Sequence, residues 1–333
     1  MATPLQSLRR PALAAPMAGG PSTAALVLAA VDAGGTGFLA GGYLTAERLA
    51  EQVEEVGRGA DVFGVNLFVP ERAPLTDAVR AYRESLLAEH PDVPIPEPAP
   101  DDDGWSDKLE LVLDAGVPLV SFTFGFPTAE VVEALQRAGS TVVATVTTAD
   151  EARTALDRGA DVLCAQGPDA GGHRATFDQA AEPATRPLSE LLSAVRGTAP
   201  LVAAGGLASP AAVTAARAAG ADAVQIGTAL LVADEAGTPP AHRGELFAGE
   251  RDVALTRAFS GRWAQGLVND FLRAHAGAPS GYPYVNQLTS PIRAAAKKAG
   301  EVELMSLWAG RRYREAQAGP AGEILDRLCP ADG

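Results

Sequence analysis

The chain has little of what would commit it to a metal, a disulfide framework or a polyanion. Its two cysteines, Cys164 and Cys329, stand far apart in 333 residues, without the paired spacing of a zinc site or a disulfide scaffold. No metal is expected, and a reducing cytoplasm is the expected compartment. Lysine and arginine number 27 against 41 acidic residues, a formal charge of −14. Nucleic-acid binding draws its affinity from cations set against phosphates, so none is expected. The chain also lacks a run of about twenty apolar residues. In "MATPLQSLRRPALAAPMAGG" the apolar stretch is short and broken by prolines, so neither a membrane span nor a signal peptide is expected. Histidine occurs only four times.

What is there is a chain of 47% hydrophobic residues, enough for one large core with a small appendage. Short apolar runs alternate with Ala-rich helical stretches, the rhythm of parallel βα units. Eight runs read as strands: 12–19, 37–42, 62–68, 119–125, 141–146, 161–167, 200–206 and 223–228. Between them recur "AVDAGGTGFL", "ALQRAGSTVV", "ALDRGADVLC" and "ARAAGADAVQ". In each phrase a glycine suits the left-handed residue that ends a helix, after which the chain enters the next strand. Eight such units predict an α/β (β/α)8 TIM barrel. An open doubly wound sheet is the alternative, but there the glycines concentrate after the first strand, whereas here several strands are followed by them.

Two stretches break the rhythm. "HPDVPIPEPAPDDDG", 90–104, reads as a Pro/Asp-rich surface insertion within the barrel. Residues 232–291 leave the C-terminal end of the eighth strand and are expected to form a small, mainly helical lid or substrate subdomain. The barrel is then 1–231 with 292–333 returning as closing helices.

Function in a barrel belongs to the strand C-termini, and here they are rich in glycine and small polar residues. Gly205 and Gly206 after strand seven, with Gly227 and Thr228 after strand eight, sit where barrels bind phosphate. One helix N-terminus contributes about 0.3–1 kcal/mol to an anion, against roughly 8 kcal/mol for micromolar binding, so several loops must share the ligand. Tight βα turns would also use these glycines. Asn66 inside "GVNLF" and Gln166 ending strand six place amides in apolar strands. Each must be paired, by a ligand ring or by its neighbours, or carry a penalty of about 1–3 kcal/mol.

"APMAGG", "GVNLF", "CAQGPDAGGHR", "PLVAAGGL" and "AVQIGTALL", in this order, resemble the nitronate monooxygenases, formerly called 2-nitropropane dioxygenases. The resemblance runs from about residue 10 to "LWAG" at 307–310, and "CAQGPDAGGHR" is its most specific part. It implies a TIM barrel holding FMN non-covalently and oxidising alkyl nitronates, with neutral nitroalkanes as further candidates. O2 is the oxidant, carbonyl compound and nitrite are the products, and NAD(P)H is not required. Position by position, the implied flavin contacts are Ala15, Pro16, Met17 and Ala18, then Asn66, Gln166, Gly171 and Gly172. Gly205, Gly206, Gln225, Gly227 and Thr228 would hold the ribityl phosphate. His173 is then the active-site histidine.

The chemistry of His173 can be argued separately. A base removing a proton next to a nitro group needs a pKa near the working pH, which histidine has without tuning; as imidazolium it would pair with a nitronate instead. Tyr282, Tyr284 and Lys297 or Lys298 are candidates for holding the nitronate or a carboxylate on it. Thr123 occupies a strand-four position where the family often has histidine, and is a further substrate candidate. His90, His242 and His275 are assigned no chemistry. Arg174 is read as orienting Asp169 or facing solvent. The expected partners are a small nitronate or nitroalkane and O2, in a monomer or homodimer serving nitroalkane detoxification. Two other readings stand beside this one: an NAD(P)H-dependent FMN barrel reductase of enoyl thioesters or quinones, and a non-catalytic flavin- or phosphate-binding barrel.

Overall fold

A computed structural model of the chain describes residues 3–71 and 73–331. The strands, in chain order, are β1 (Ala12–Ala14), β2 (Thr36–Ala40), β3 (Gly64–Phe68), β4 (Leu119–Thr123), β5 (Thr141–Val146) and β6 (Val162–Gln166). The two-residue β7 (Gly172–His173) follows, then β8 (Leu201–Ala204), β9 (Ala223–Ile226), β10 (Val253–Thr256) and β11 (Ala264–Leu267). All the strands except β7, β10 and β11 form one closed parallel barrel, and they fall within or beside the eight expected runs. Pairing of β1 with β9, Leu13 opposite Gln225 and Ala14 opposite Ile226, closes the ring and rules out the open sheet.

The helices are α1 (Ala24–Asp32), α2 (Ala46–Gly57), α3 (Asp77–Glu89), α4 (Trp105–Asp114), α5 (Ala129–Arg137) and α6 (Ala149–Asp157). They continue as α7 (Leu188–Val195), α8 (Pro210–Ala218), α9 (Pro240–Ala248), α10 (Asp270–Ala274), α11 (Tyr284–Ala299) and α12 (Ala321–Leu328). Thr23, Thr45, Thr76, Thr148 and Ser209 each start a helix by accepting a backbone N–H two or three residues on. The recurrent phrases end helices as the sequence suggests, with φ of +87° at Gly34 and +111° at Gly220.

Period-two burial divides the barrel's apolar residues into two sets. Leu13, Phe38, Leu119, Val143, Val162 and Val202 share a cluster filling the barrel interior. The alternate residues, among them Val65, Val120, Ala144 and Leu163, pack against the helices. Phe38 explains Gly64: a Cβ there would lie 2.2 Å from the Phe38 ring. At the N-terminal end the buried Arg10 donates to the carbonyls of Leu325 and Cys329 and pairs with Asp326, which caps α12.

The segment after β9 is less helical than the sequence suggests. β10 and β11 form an antiparallel hairpin, and β11 pairs with β7, Ala264 opposite His173. A three-stranded sheet thus ties the loop after β6 to the cap. Its register could not be read from sequence because β7 is only two residues long. The boundary expected between 291 and 292 falls inside α11, whose apolar face (Val285, Leu288, Ile292) runs across it into one cluster with α3 and α10. Among the described residues no helix is long and apolar enough to cross a membrane.

Candidate active site

A cavity of about 380 Å³ opens at the C-terminal ends of the barrel strands, under the cap. Its barrel wall begins with Ala15, Pro16, Met17 and Ala18 after β1, a loop pinned by Ser22, whose hydroxyl accepts from the Met17 N–H and donates to the Ala15 carbonyl. Gly205 and Gly206 after β8, Gln225 on β9, and Gly227 and Thr228 beyond it line the same wall. Thr228 Oγ1 accepts the Gly310 N–H at 3.0 Å, so its own proton is free to donate to an anion. Gly171 and Gly172 also line the cavity, for different reasons. A Cβ on Gly171 would lie 2.5 Å from the Gly310 nitrogen, because two backbones cross there. Gly172 has φ +71° and open space around it.

The two strand amides are paired by the protein itself. Asn66, almost fully buried, donates through Nδ2 to Ser121 Oγ (2.9 Å) and Thr123 Oγ1 (3.0 Å) on the adjoining β4. Gln166 donates to the His173 carbonyl (3.1 Å) and accepts from the Ala175 N–H (3.0 Å), so it shapes the histidine loop. Both still line the cavity, as does Thr123. Arg174 neither faces solvent nor binds Asp169: it is 1% exposed and donates to the carbonyls of Gly167 and Gln166. The charges of Glu151 and Asp169 act on the guanidinium from beyond hydrogen-bond contact.

His173 lines the cavity between two rings, Phe124 and Trp308, each with its centroid 5.4 Å away. Its Nε2 lies 2.7 Å from Ser260 Oγ. That oxygen also accepts the Arg262 N–H (3.2 Å) and faces the Arg262 carbonyl at 3.3 Å. Burial, reinforced by the charges of Arg262 and Arg293, pushes the imidazole pKa down to about 3. The ring is therefore neutral at ordinary pH, which disfavours the imidazolium reading.

The cap supplies the other wall. Arg293 and Ser290 of α11 line the cavity together with Lys297. Arg293 is held by Asn286 Oδ1 (2.7 Å) and Ser290 Oγ (2.8 Å) and has no carboxylate partner among the described residues. Burial pulls its pKa below the usual arginine value; an anion in the cavity would reverse that. Of the charged lining residues, Arg312 is paired with Glu315 and Asp169 with Arg311, which leaves Arg293 and Lys297 as the cations without a carboxylate partner among the described residues, in a chain of charge −14.

Tyr282 and Tyr284 do not line the cavity. Tyr282 stands behind Phe124, 5.4 Å between centroids, and Tyr284 is a buried pin whose hydroxyl donates to the Ala73 carbonyl at 3.0 Å. Tyr284, in the first turn of α11, joins the cap core, whereas Tyr282, two residues before the helix, packs with Phe68 and Phe124, both of which line the cavity; the later turns of α11 bring Ser290, Arg293 and Lys297 to the cavity. Sequence reasoning missed Arg293, although it sits four residues before Lys297 on the same helix face, the spacing that could have found it. His242, to which the sequence assigned no chemistry, is a buried cavity residue whose pKa is pushed down to about 4 by burial. Nothing in the sequence singles out Ser260. His275 lies tilted against Phe271, 4.3 Å between centroids, and faces Glu89 at 3.2 Å, away from the cavity.

The family model for nitronate monooxygenase matches residues 3–331. The chain belongs to the nitronate monooxygenase family. It is 34% identical to a probable nitronate monooxygenase of Staphylococcus haemolyticus over 97% of this chain and 94% of that one. It is likewise 34% identical to one of Bacillus subtilis, over 98% and 97%. Among solved structures, nitroalkane oxidase from Streptomyces ansochromogenes superposes with a TM-score of 0.92 at 43% identity, over 97% and 96% of the two chains. FabK from Thermotoga maritima, at 23% identity and a TM-score of 0.75, shares the fold. As a member of this family the protein is an oxidoreductase, and nitronate or nitroalkane oxidation is the chemistry that its family and neighbours support.

Proposed function

We propose that the protein oxidises alkyl nitronates, and neutral nitroalkanes as further substrates, with bound FMN and O2, releasing carbonyl compound and nitrite without NAD(P)H. The observation that carries this reading is the pairing of a cationic cap wall with a glycine-backbone wall in one cavity. An anionic substrate and a phosphorylated cofactor are what such a pair suits.

The residues present fit FMN. The cavity volume lies in the range of small-molecule sites, about 300–1,000 Å³. The backbone at Gly205, Gly206 and Gly227, with the Thr228 hydroxyl, would take the phosphate. The loop of Ala15 to Ala18, with Gly172, would border the ring. When bound, FMN accepts electrons from the nitronate and returns them to O2.

The chain's own side chains do the rest. Arg293 and Lys297 hold the anionic nitro group, a task that neutral His173 leaves to them. With Nε2 engaged by Ser260, Nδ1 is the His173 nitrogen left for substrate. Nδ1 accepts a proton from a neutral nitroalkane when Nε2–H donates to Ser260 and the Ser260 hydroxyl donates onward to the Arg262 carbonyl. The anion formed beside the ring raises the imidazole pKa from its low resting value. Phe124 and Trp308 keep water from this nitrogen. A cytoplasmic role in disposing of nitroalkanes suits the family and the two buried thiols.

The test is oxygen uptake by the FMN-loaded protein on adding an alkyl nitronate, with nitrite assayed and pyridine nucleotide omitted. Rapid uptake with nitrite release is expected. No uptake, with NAD(P)H bleaching the flavin, would replace this reading with the reductase; inertness to both donors would leave a binding protein.

A further inference from the structure

The 90–104 segment does not hang free of the cavity. It leaves α3 and crosses to α4, with Ile95 buried in the cap cluster beside Val79, Val285 and Leu288. Two anchors fasten it to elements that frame the cavity mouth. At Ala99 the backbone N–H donates to Gln287 Oε1 (3.0 Å), and the carbonyl accepts from Gln287 Nε2 (2.8 Å). Gln287 lies on α11, six residues before Arg293. At the far end, Asp103 Oδ1 accepts the Tyr43 N–H at 2.9 Å, while Oδ2 pairs with the buried Lys108 at 2.7 Å.

Tyr43 lines the cavity, and its backbone is in the left-handed region, φ +67°. For a bulky residue that conformation is unfavourable and persists only where neighbours enforce it. Two do so. A side chain on Gly42 would strike the Phe68 ring at 2.2 Å, so the turn after β2 runs tight against that ring; the second is the Asp103 carboxylate on the Tyr43 amide. The Tyr43 ring then sits edge-on to Phe68 (5.4 Å), Phe68 on Phe124 (4.6 Å), and Phe124 on His173 (5.4 Å). A continuous row of rings connects the strap to the candidate catalytic histidine.

We propose that residues 90–104 are a specificity-determining strap: through Asp103 and Ala99 they hold Tyr43 and α11 as the mouth of the cavity, and so set the size of the alkyl group a substrate can carry. Asp103 and Gln287 are positioning residues; Tyr43 is the one that meets substrate. The inference rests on the nitronate reading for the identity of that substrate, though not for the geometry of the mouth.

The test uses the FMN-loaded protein and 1-nitronates from ethyl to octyl. Asp103→Ala alone strands a buried ammonium, so the working variant is Asp103→Ala with Lys108→Met, joined by Gln287→Ala and by Asp103→Asn, which keeps an acceptor for the Tyr43 amide. The expected result is a change in discrimination. In the double variant and in Gln287→Ala, kcat/KM for octyl relative to ethyl rises about ten-fold, the worth of a pocket contact. The kcat on ethylnitronate and the FMN affinity stay within about two-fold, and Asp103→Asn returns towards wild type. An unchanged chain-length profile, or a uniform loss across the series, would overturn the proposal. If wild-type protein turns over no nitronate, the functional reading fails by itself. Hydrogen exchange at residues 41–45 then decides the strap: faster exchange in the double variant supports it, and unchanged exchange sinks it.

Discussion

Along the ends of β8 and β9 the cavity meets backbone, glycine after glycine with small neighbours, whereas α11 and Trp308 present long cationic and aromatic side chains to it. The two walls carry different tolerances. A backbone wall recognises by close approach, so any added atom costs steric strain. A side-chain wall recognises by charge and shape, so substitution there retunes affinity without unseating the fold. His173 stands at the seam: its strand β7 hangs on the cap through β11, while its loop is shaped from the barrel by Gln166.

The seam should give the largest effect. His173→Asn should lower kcat on neutral nitroalkanes by about 10²–10⁴ while FMN stays bound; wild-type turnover in steady-state assays with nitroalkanes and nitronates alike would remove the histidine from the chemistry. The backbone wall comes next. Gly171→Ala places a Cβ 2.5 Å from the Gly310 nitrogen, an overpacking of about 1–3 kcal/mol. A drop of about 10–100-fold in FMN affinity is expected, read from the fluorescence of released FMN. Unaltered FMN binding would show that the two crossing backbones can part freely.

On the side-chain wall, Arg293→Met should raise KM for an anionic nitronate about ten-fold, the low end of a charge-assisted contact, and leave FMN affinity unchanged. Exposed Lys297, changed to Met, should move KM less than about three-fold because its charge is screened. Equal effects from both variants, or a loss of FMN in either, would erase the division between the walls. The smallest expected effect is on stability against pH. Both cavity histidines have pKa values pushed below the unfolded value of about 6.5, to about 3 for His173 and about 4 for His242. The unfolded chain therefore takes up protons first as pH falls. Their effect is absent above about pH 6.5 and grows more destabilising below it. Melting curves at pH 6.5 and 5 should show a shallower decline in His173→Asn than in wild type; parallel declines would place the ring in solvent.

The barrel was legible because its cues are local. Each barrel strand is an apolar run of three to six residues, and several crossovers end on a glycine in a left-handed turn, so Gly34, Gly139, Gly159 and Gly220 mark the entries to four strands. The glycine wall was legible for the same reason, since strand ends and cavity floor coincide in this architecture. The cap was read less well. Tyr284, read as a substrate contact, is a pin of the cap core, Tyr282 stands behind the cavity ring Phe124, Arg293 went unremarked and His242 was assigned no chemistry. A helix's facing depends on what it packs against, which no local pattern records. Gln166 and Asn66 line the cavity but pair with protein groups, because the partners that satisfy them, Ala175 and Ser121, come from other turns and strands.

By itself, the order of apolar runs, glycines and short motifs determined that this chain closes a (β/α)8 barrel and that a glycine-rich floor lies at its strand ends. Both follow from backbone conformations that neighbouring residues dictate. Only the tertiary structure decided which side chains of the cap face that floor, that His173 is neutral, and that a proline-rich insertion reaches Tyr43. Burial, charge proximity and long-range hydrogen bonds are properties of residues brought together from distant parts of the chain.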